Sequence, residues 1–149
     1  MAYRHAFESE DAVLVCRFAE PVDARCYAEH LDVLENAVRS YNRRQGDRRL
    51  AVLAVFDGRV SPPDAKTRQR VAEVTSRVDF NPYIAIVTDN PLFRGVLTAL
   101  SWVRKQRHEH YMTATVEEGV DWLAEKSGVN RVQLREMLRR TAIDKREAG

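Results

Sequence analysis

The sequence predicts an α/β fold: a mostly parallel sheet of four to five strands with an N-terminal hairpin, flanking helices and a further C-terminal helix. Three observations carry this. Leu50 to Phe56 and Tyr83 to Val87 are continuous apolar runs, the pattern of strands buried on both faces. Each run is followed by helix-opening chemistry, Ser61-Pro62-Pro63-Asp64 after the first and Asp89-Asn90-Pro91 after the second. Strand-like and helix-like segments then alternate in the order β-β-α-β-α-β-α-β-α, which forces parallel neighbours joined by right-handed crossovers.

Residues 3 to 7 and 12 to 18 read as short strands around the polar turn Ser9-Glu10-Asp11, the second alternating Val13, Val15 and Arg17 against Leu14, Cys16 and Phe18. After Pro21, Asp23 is placed to cap a helix in which Tyr27, Leu31, Leu34, Val38 and Tyr41 recur at three-to-four spacing. The basic stretch NRRQGDRR ends it. Ser61 is expected as the N-cap of the second helix, with proline in its first turn, and Val71, Val74 and Val78 give that helix a narrow apolar stripe. Residues 108 to 114 form a weaker strand. Thr115 with Glu118 three residues on makes a capping box, and Val116, Val120 and Leu123 face inward from the helix it opens. A last helix begins near Asn130.

The segment from Asp89 to Val103, DNPLFRGVLTALSWV, is too apolar for a helix that covers a sheet with one stripe. Leu92, Val96, Ala99 and Val103 form one stripe; Phe93, Leu97 and Leu100 form a second beside it, with Trp102 off both. The surplus is expected to meet neighbouring helices or another protein.

At 149 residues, with 44% hydrophobic and 31% charged side chains, the chain fits one globular domain with a real core. The charged N-terminus argues against a secretory signal, and no apolar run is long enough to cross a bilayer, so a cytoplasmic protein without membrane insertion is expected. Cys16 and Cys26, with no CxxC or Cys/His cluster, read as two buried or half-buried thiols. The net charge of +2 is small, but residues 129 to 149 carry +3 and the remainder about −1.

The strand ending in an acid, LAVLAVFDG, the strand and helix IAIVTDNPLFRGVLTALSWV, and the closing helix VEEGVDWLAEK together resemble the STAS fold family of anti-sigma factor antagonists. The divergent SpoIIAA-like proteins of STAS/SEC14 type are the closer likeness. The resemblance runs from Leu50 to Leu123 and implies a STAS-like domain over residues 1–127, followed by a basic helical extension over 128–149. It implies a non-enzymatic regulator that docks onto protein partners, often a kinase-like anti-sigma factor, under phosphorylation control. Self-association is a second form of partnership. The family's phosphoacceptor lies in an Asp-Ser-Ser-Gly-like motif where the second helix starts. Here that segment is DGRVSPPDAKT, which lacks the motif, so Ser61 reads as an N-cap first and a phosphoacceptor second, with Thr67 a turn further in.

Asp57 and Asp89 stand just past buried strands, where α/β proteins place active sites, but Asp-Gly and Asp-Asn-Pro are ordinary turn and cap chemistry. His108 and His110 offer half a metal site with no third ligand by spacing, and read as solvated edge-strand histidines. GxGxxG, GxxxxGK[ST] and GxSxG are absent. No catalytic, cofactor-binding or metal-binding residue is assigned, and no cofactor is expected.

The expected docking surface joins Ser61, Asp64 and Arg68 at the start of the second helix to Phe93, Arg94, Leu97 and Ser101 on the exposed side of the third. The alternative is a small DNA-binding regulator. LAEKSGVNRVQLREMLRR resembles a helix-turn-helix with Leu134 packed between its helices, and it would present Arg131, Gln133 and Arg135 to phosphates or base edges.

Overall fold

The computed structural model describes residues 3–42, 49–58, 60–77, 79–103 and 109–143, excepting the side chains at 42, 97 and 99–103. Five strands and five helices follow one another as β1 (Tyr3–Glu8), β2 (Val13–Ala19), α1 (Ala24–Asn42), β3 (Ala51–Asp57), α2 (Ala65–Thr75), β4 (Tyr83–Val87), α3 (Pro91–Val103), β5 (Glu109–Thr113), α4 (Val116–Ser127) and α5 (Arg131–Arg140). One sheet has the order β1-β2-β3-β4-β5, antiparallel between β1 and β2 and parallel thereafter. This is the α/β architecture that the apolar runs predict.

The strand order dictates where the helices go. When parallel strands are laid down side by side in sequence order, every right-handed crossover lands on the same face. Accordingly α1, α2 and α3 cover the first face, where Tyr27, Leu34, Val38, Val74 and Phe93 join Leu14, Cys16, Phe18, Val52 and Phe56 in one core. The second face would be bare without the chain that follows the last strand. There α4 and α5 bring Val120, Leu123, Leu134 and Met137 onto Val13, Val15, Leu53, Val55, Ala85 and Val87. Fully burying side chains of that size stabilises by roughly 1.5–3 kcal/mol each, so α5 is a structural cover over β1 and β2.

Local chemistry sets the helix ends. The five apolar positions of α1 that the spacing picks out, Tyr27, Leu31, Leu34, Val38 and Tyr41, are all buried. Thr115 caps α4 by accepting from the Glu118 N–H, and Gly128 closes it with a left-handed φ of +77° that a side chain would resist. Asn130 then opens α5 by accepting from Val132 and Gln133. In α2, Val74 is buried and Val71 half-buried, while Val78 lies outside the described residues.

Two expectations about capping and exposure are corrected. Asp64, not Ser61, is the N-cap of α2: its carboxylate accepts from the Thr67 N–H at 2.8 Å and the helix starts at Ala65. The reason is the proline pair, since a residue before proline is pushed out of the helical region, which keeps Ser61 and Pro62 extended. His110 is half-buried on the helix-bearing first face rather than solvated, and burial lowers its pKa; His108 lies outside the described residues. No helix among the described residues is long and apolar enough to cross a membrane.

Candidate docking surface at the carboxyl end of the sheet

Helix α3 leaves β4 toward the first face, whereas α4 leaves β5 toward the second. Adjacent strands whose connections part to opposite sides open a crevice at their carboxyl ends, the place where open α/β sheets put their binding sites. At this switch point the ends of β4 and β5 are tied together, with the Thr88 N–H donating to the Thr113 carbonyl at 2.9 Å. Thr88 Oγ1 in turn accepts from the Asn90 N–H, and Asn90 Oδ1 accepts from Leu92, capping α3.

Three side chains pin the β3–α2 loop beside it. Tyr27 of α1 donates its hydroxyl to the Ser61 carbonyl at 2.6 Å, Asn90 Nδ2 donates to the Val60 carbonyl at 3.3 Å, and Arg68 donates to the Pro63 carbonyl at 2.8 Å. Val60 and Pro63 are buried beneath this network while Ser61 and Asp64 are exposed. Sequence spacing gave no sign of the Tyr27 and Asn90 pins, because each is a side chain reaching a carbonyl 34 or 30 positions away along the chain.

The first turn of α3 presents Leu92, two-thirds exposed at 66%. Arg94, two positions on, is exposed as well, and its charge reaches the Glu118 carboxylate at the start of α4. Glu118 is held below the usual carboxylate pKa first by the Thr113 hydroxyl and then by Thr115, with a smaller contribution from Arg94. The Asp64 carboxyl is lowered too, chiefly by the Thr67 backbone N–H. Both carboxylates are anionic at neutral pH, so the carboxyl end of the sheet carries exposed Leu92, the Arg94 guanidinium and two fixed negative charges. Next to Asp64, α1 and α2 enclose a groove of about 480 Å³ over Ala24, Ala28 and Leu31.

Of the residues expected on this surface, Ser61, Asp64 and Arg94 are exposed, Arg68 is half-buried, and Leu97 and Ser101 fall on side chains outside the described residues. Phe93 is corrected. It is 1% exposed, because its ring meets Phe56 at 4.5 Å and completes an aromatic row that runs through Phe18 to Tyr3. The exposed apolar residue is its neighbour Leu92, from the other of the two stripes. Of the two candidate phosphoacceptors, Ser61 is exposed and Thr67 half-buried in the first turn of α2.

The residues of the DNA-binding alternative are engaged with acids. Arg131 bonds Asp121 at 2.9 Å, Arg135 bonds Glu117 at 2.7 Å, and Gln133 donates to Asp11 at 2.7 Å. A phosphate would have to displace those carboxylates. Asp57 likewise takes the Arg17 guanidinium at 2.7 Å, and among the described residues no group of three or more His, Cys, Asp or Glu side chains is gathered to hold a metal. Compared with protein-family models, curated proteins and solved structures, the chain matches none.

Proposed function

We propose that this chain is a non-enzymatic, STAS-like regulatory adaptor that docks a protein partner at the carboxyl end of its sheet. The observation that carries the reading is Leu92. An apolar side chain at 66% exposure, on a helix start whose cap and neighbouring loop are pinned from three elements, is a pre-formed contact that costs little ordering on binding. Arg94 and the Asp64 and Glu118 carboxylates, exposed at the same end of the sheet, supply orientation and rate of encounter more than affinity. The likeness of the α3 segment to the SpoIIAA-like proteins supports the same reading, and exposed Ser61 is the residue through which phosphorylation would act on it.

Val132 provides an internal control, since it is an apolar side chain of similar exposure, 69%, on α5 across the sheet. A photo-crosslinking residue placed at 92 is expected to give protein adducts in an extract of the native host, and the same residue at 132 is expected to give none. Leu92→Asp should reduce capture at least about tenfold, the loss of one central contact of 1.4 kcal/mol or more, with an unchanged urea midpoint. Adducts at 132 and not at 92, or full capture by Leu92→Asp, would move the docking surface elsewhere.

A further inference from the structure

The first face holds a polar cluster that the docking reading does not use. Fully buried Tyr3 of β1 places its hydroxyl 3.3 Å from Cys16 Sγ on β2 and 3.0 Å from His30 Nδ1 on α1. The imidazole is wedged against two rings, edge-on to Tyr3 at 5.5 Å and to Phe18 at 5.0 Å between centroids. His30 is thus where α1 is keyed to the hairpin. One turn earlier on the same helix, Tyr27 holds the Ser61 loop.

We propose that the Tyr3–His30–Cys16 cluster is an acid-sensitive latch: protonation of His30 releases the N-terminal half of α1 from the β1–β2 hairpin and, with Tyr27, loosens the Ser61 loop. The proton inventory supports it. Tyr3 has one hydrogen to give and serves two neighbours, so neutral His30 completes the set either by accepting that hydrogen or by donating its own. An imidazolium carries two N–H donors and a charge. From β1 it meets the Tyr3 phenol, with His5 stacked on that phenol at 5.9 Å; from β2 it meets the Cys16 thiol through Tyr3, and Phe18. From its own helix the nearby titratable groups are half-buried Cys26 and exposed Glu29. Among the described residues no carboxylate bonds the ring, and His5 adds a like charge in acid.

Burial first, and then His5, bring the His30 pKa from 6.5 down to about 4. The released helix binds its proton near 6.5 and the latched helix only near 4, so the latch is fully favoured above 6.5 and is lost as pH falls through that window. Each pH unit within it shifts the equilibrium toward release by up to about tenfold.

Hydrogen exchange followed by mass spectrometry between pH 7 and 4.5, corrected for intrinsic rates, tests this without any partner and so independently of the docking reading. Exchange in residues 24–34 and 58–64 is expected to rise by nearly tenfold per unit below pH 6.5 while α4 and α5 stay protected, and His30→Gln, which keeps a hydrogen-bonding group for Tyr3, should be flat. A matching rise in His30→Gln, or loss of α4 and α5 in step with α1, overturns the latch. If His30→Gln does not fold, nuclear magnetic resonance of the wild-type imidazoles decides: His30 titrating near 6.5 with the α1 amides unmoved refutes it, and a titration below 5 that carries the α1 amides with it supports it.

Discussion

The two faces of the sheet are covered by different means. On the first, three linking helices sit over a core in which cross-strand partners Tyr3, Phe18 and Phe56 form an aromatic row that Phe93 closes. Polar side chains there reach out from the core to hold loops, as Tyr27 does with Ser61. The second face is aliphatic, and its helices are fixed by packing underneath and by ion pairs at the surface, Arg131 with Asp121 and Arg135 with Glu117. The difference teaches where the proposed roles have room to act: the second face closes the core, while the first carries the pinned loops, exposed Leu92 and half-buried His30.

The largest effect should come from stripping the second face. Leu134 and Met137 are wholly buried under α5 against β1 and β2, so Leu134→Ala is expected to cost about 2–5 kcal/mol. In a chain of this size that lowers the melting temperature by about 2–4 °C per kcal/mol. Arg135→Ala, two positions before Met137 on the exposed side, should leave the urea midpoint almost unchanged because its ion pair is screened by water. Urea unfolding of the two variants breaks the comparison if they prove alike, since α5 would then be an appendage and not a cover.

A smaller loss is expected at Gly119, where α4 lies closest to the sheet. A Cβ there would stand 3.0 Å from Val87 Cγ2 and 3.3 Å from Leu53 Cδ1, both in the well-packed second core. Gly119→Val should therefore lose about 1–3 kcal/mol through overpacking. A neutral or stabilising result would show that α4 can ride outward, and that the second face is less rigid than its burial implies.

Much of this was legible in the sequence, for reasons that differ by element. The apolar runs gave β3 and β4, and the three-to-four spacing gave five buried positions of α1, missing only the small Ala37 among the described residues, because burial on two faces and burial on one stripe leave different periods. The capping box at Thr115 and Glu118 was readable because capping is local. What escaped depends on the third dimension. Periodicity shows that α3 has two adjacent apolar stripes, but that Phe93 turns inward is decided by Phe56, 37 positions before it and in stacking range only after folding. Nor does the charge run show that Arg131 and Arg135 pair with Asp121 and Glu117, or that Gln133 donates to Asp11, because those acids sit on other elements. Ser61 looked like a cap because a proline is welcome in a first turn, and two in succession deferred the helix to Asp64. The crevice between α3 and α4 follows from strand order, which no local pattern encodes.

The smallest predicted effect separates the faces by its sign. Gly95 lies on α3 one turn beyond Leu92, is exposed, and has open space where a Cβ would stand. Alanine in place of a mid-helix glycine removes backbone freedom from the unfolded chain without a clash, so Gly95→Ala should gain about 0.5–1 kcal/mol where Gly119→Val loses. Differential scanning calorimetry of the two variants makes the contrast quantitative. If Gly95→Ala gains stability but loses capture through position 92, the bare backbone is itself part of the docking surface, admitting a partner closer than a methyl group allows. If it gains stability and keeps capture, Leu92 and Arg94 hold the partner without close backbone approach, and the contact is a side-chain knob alone.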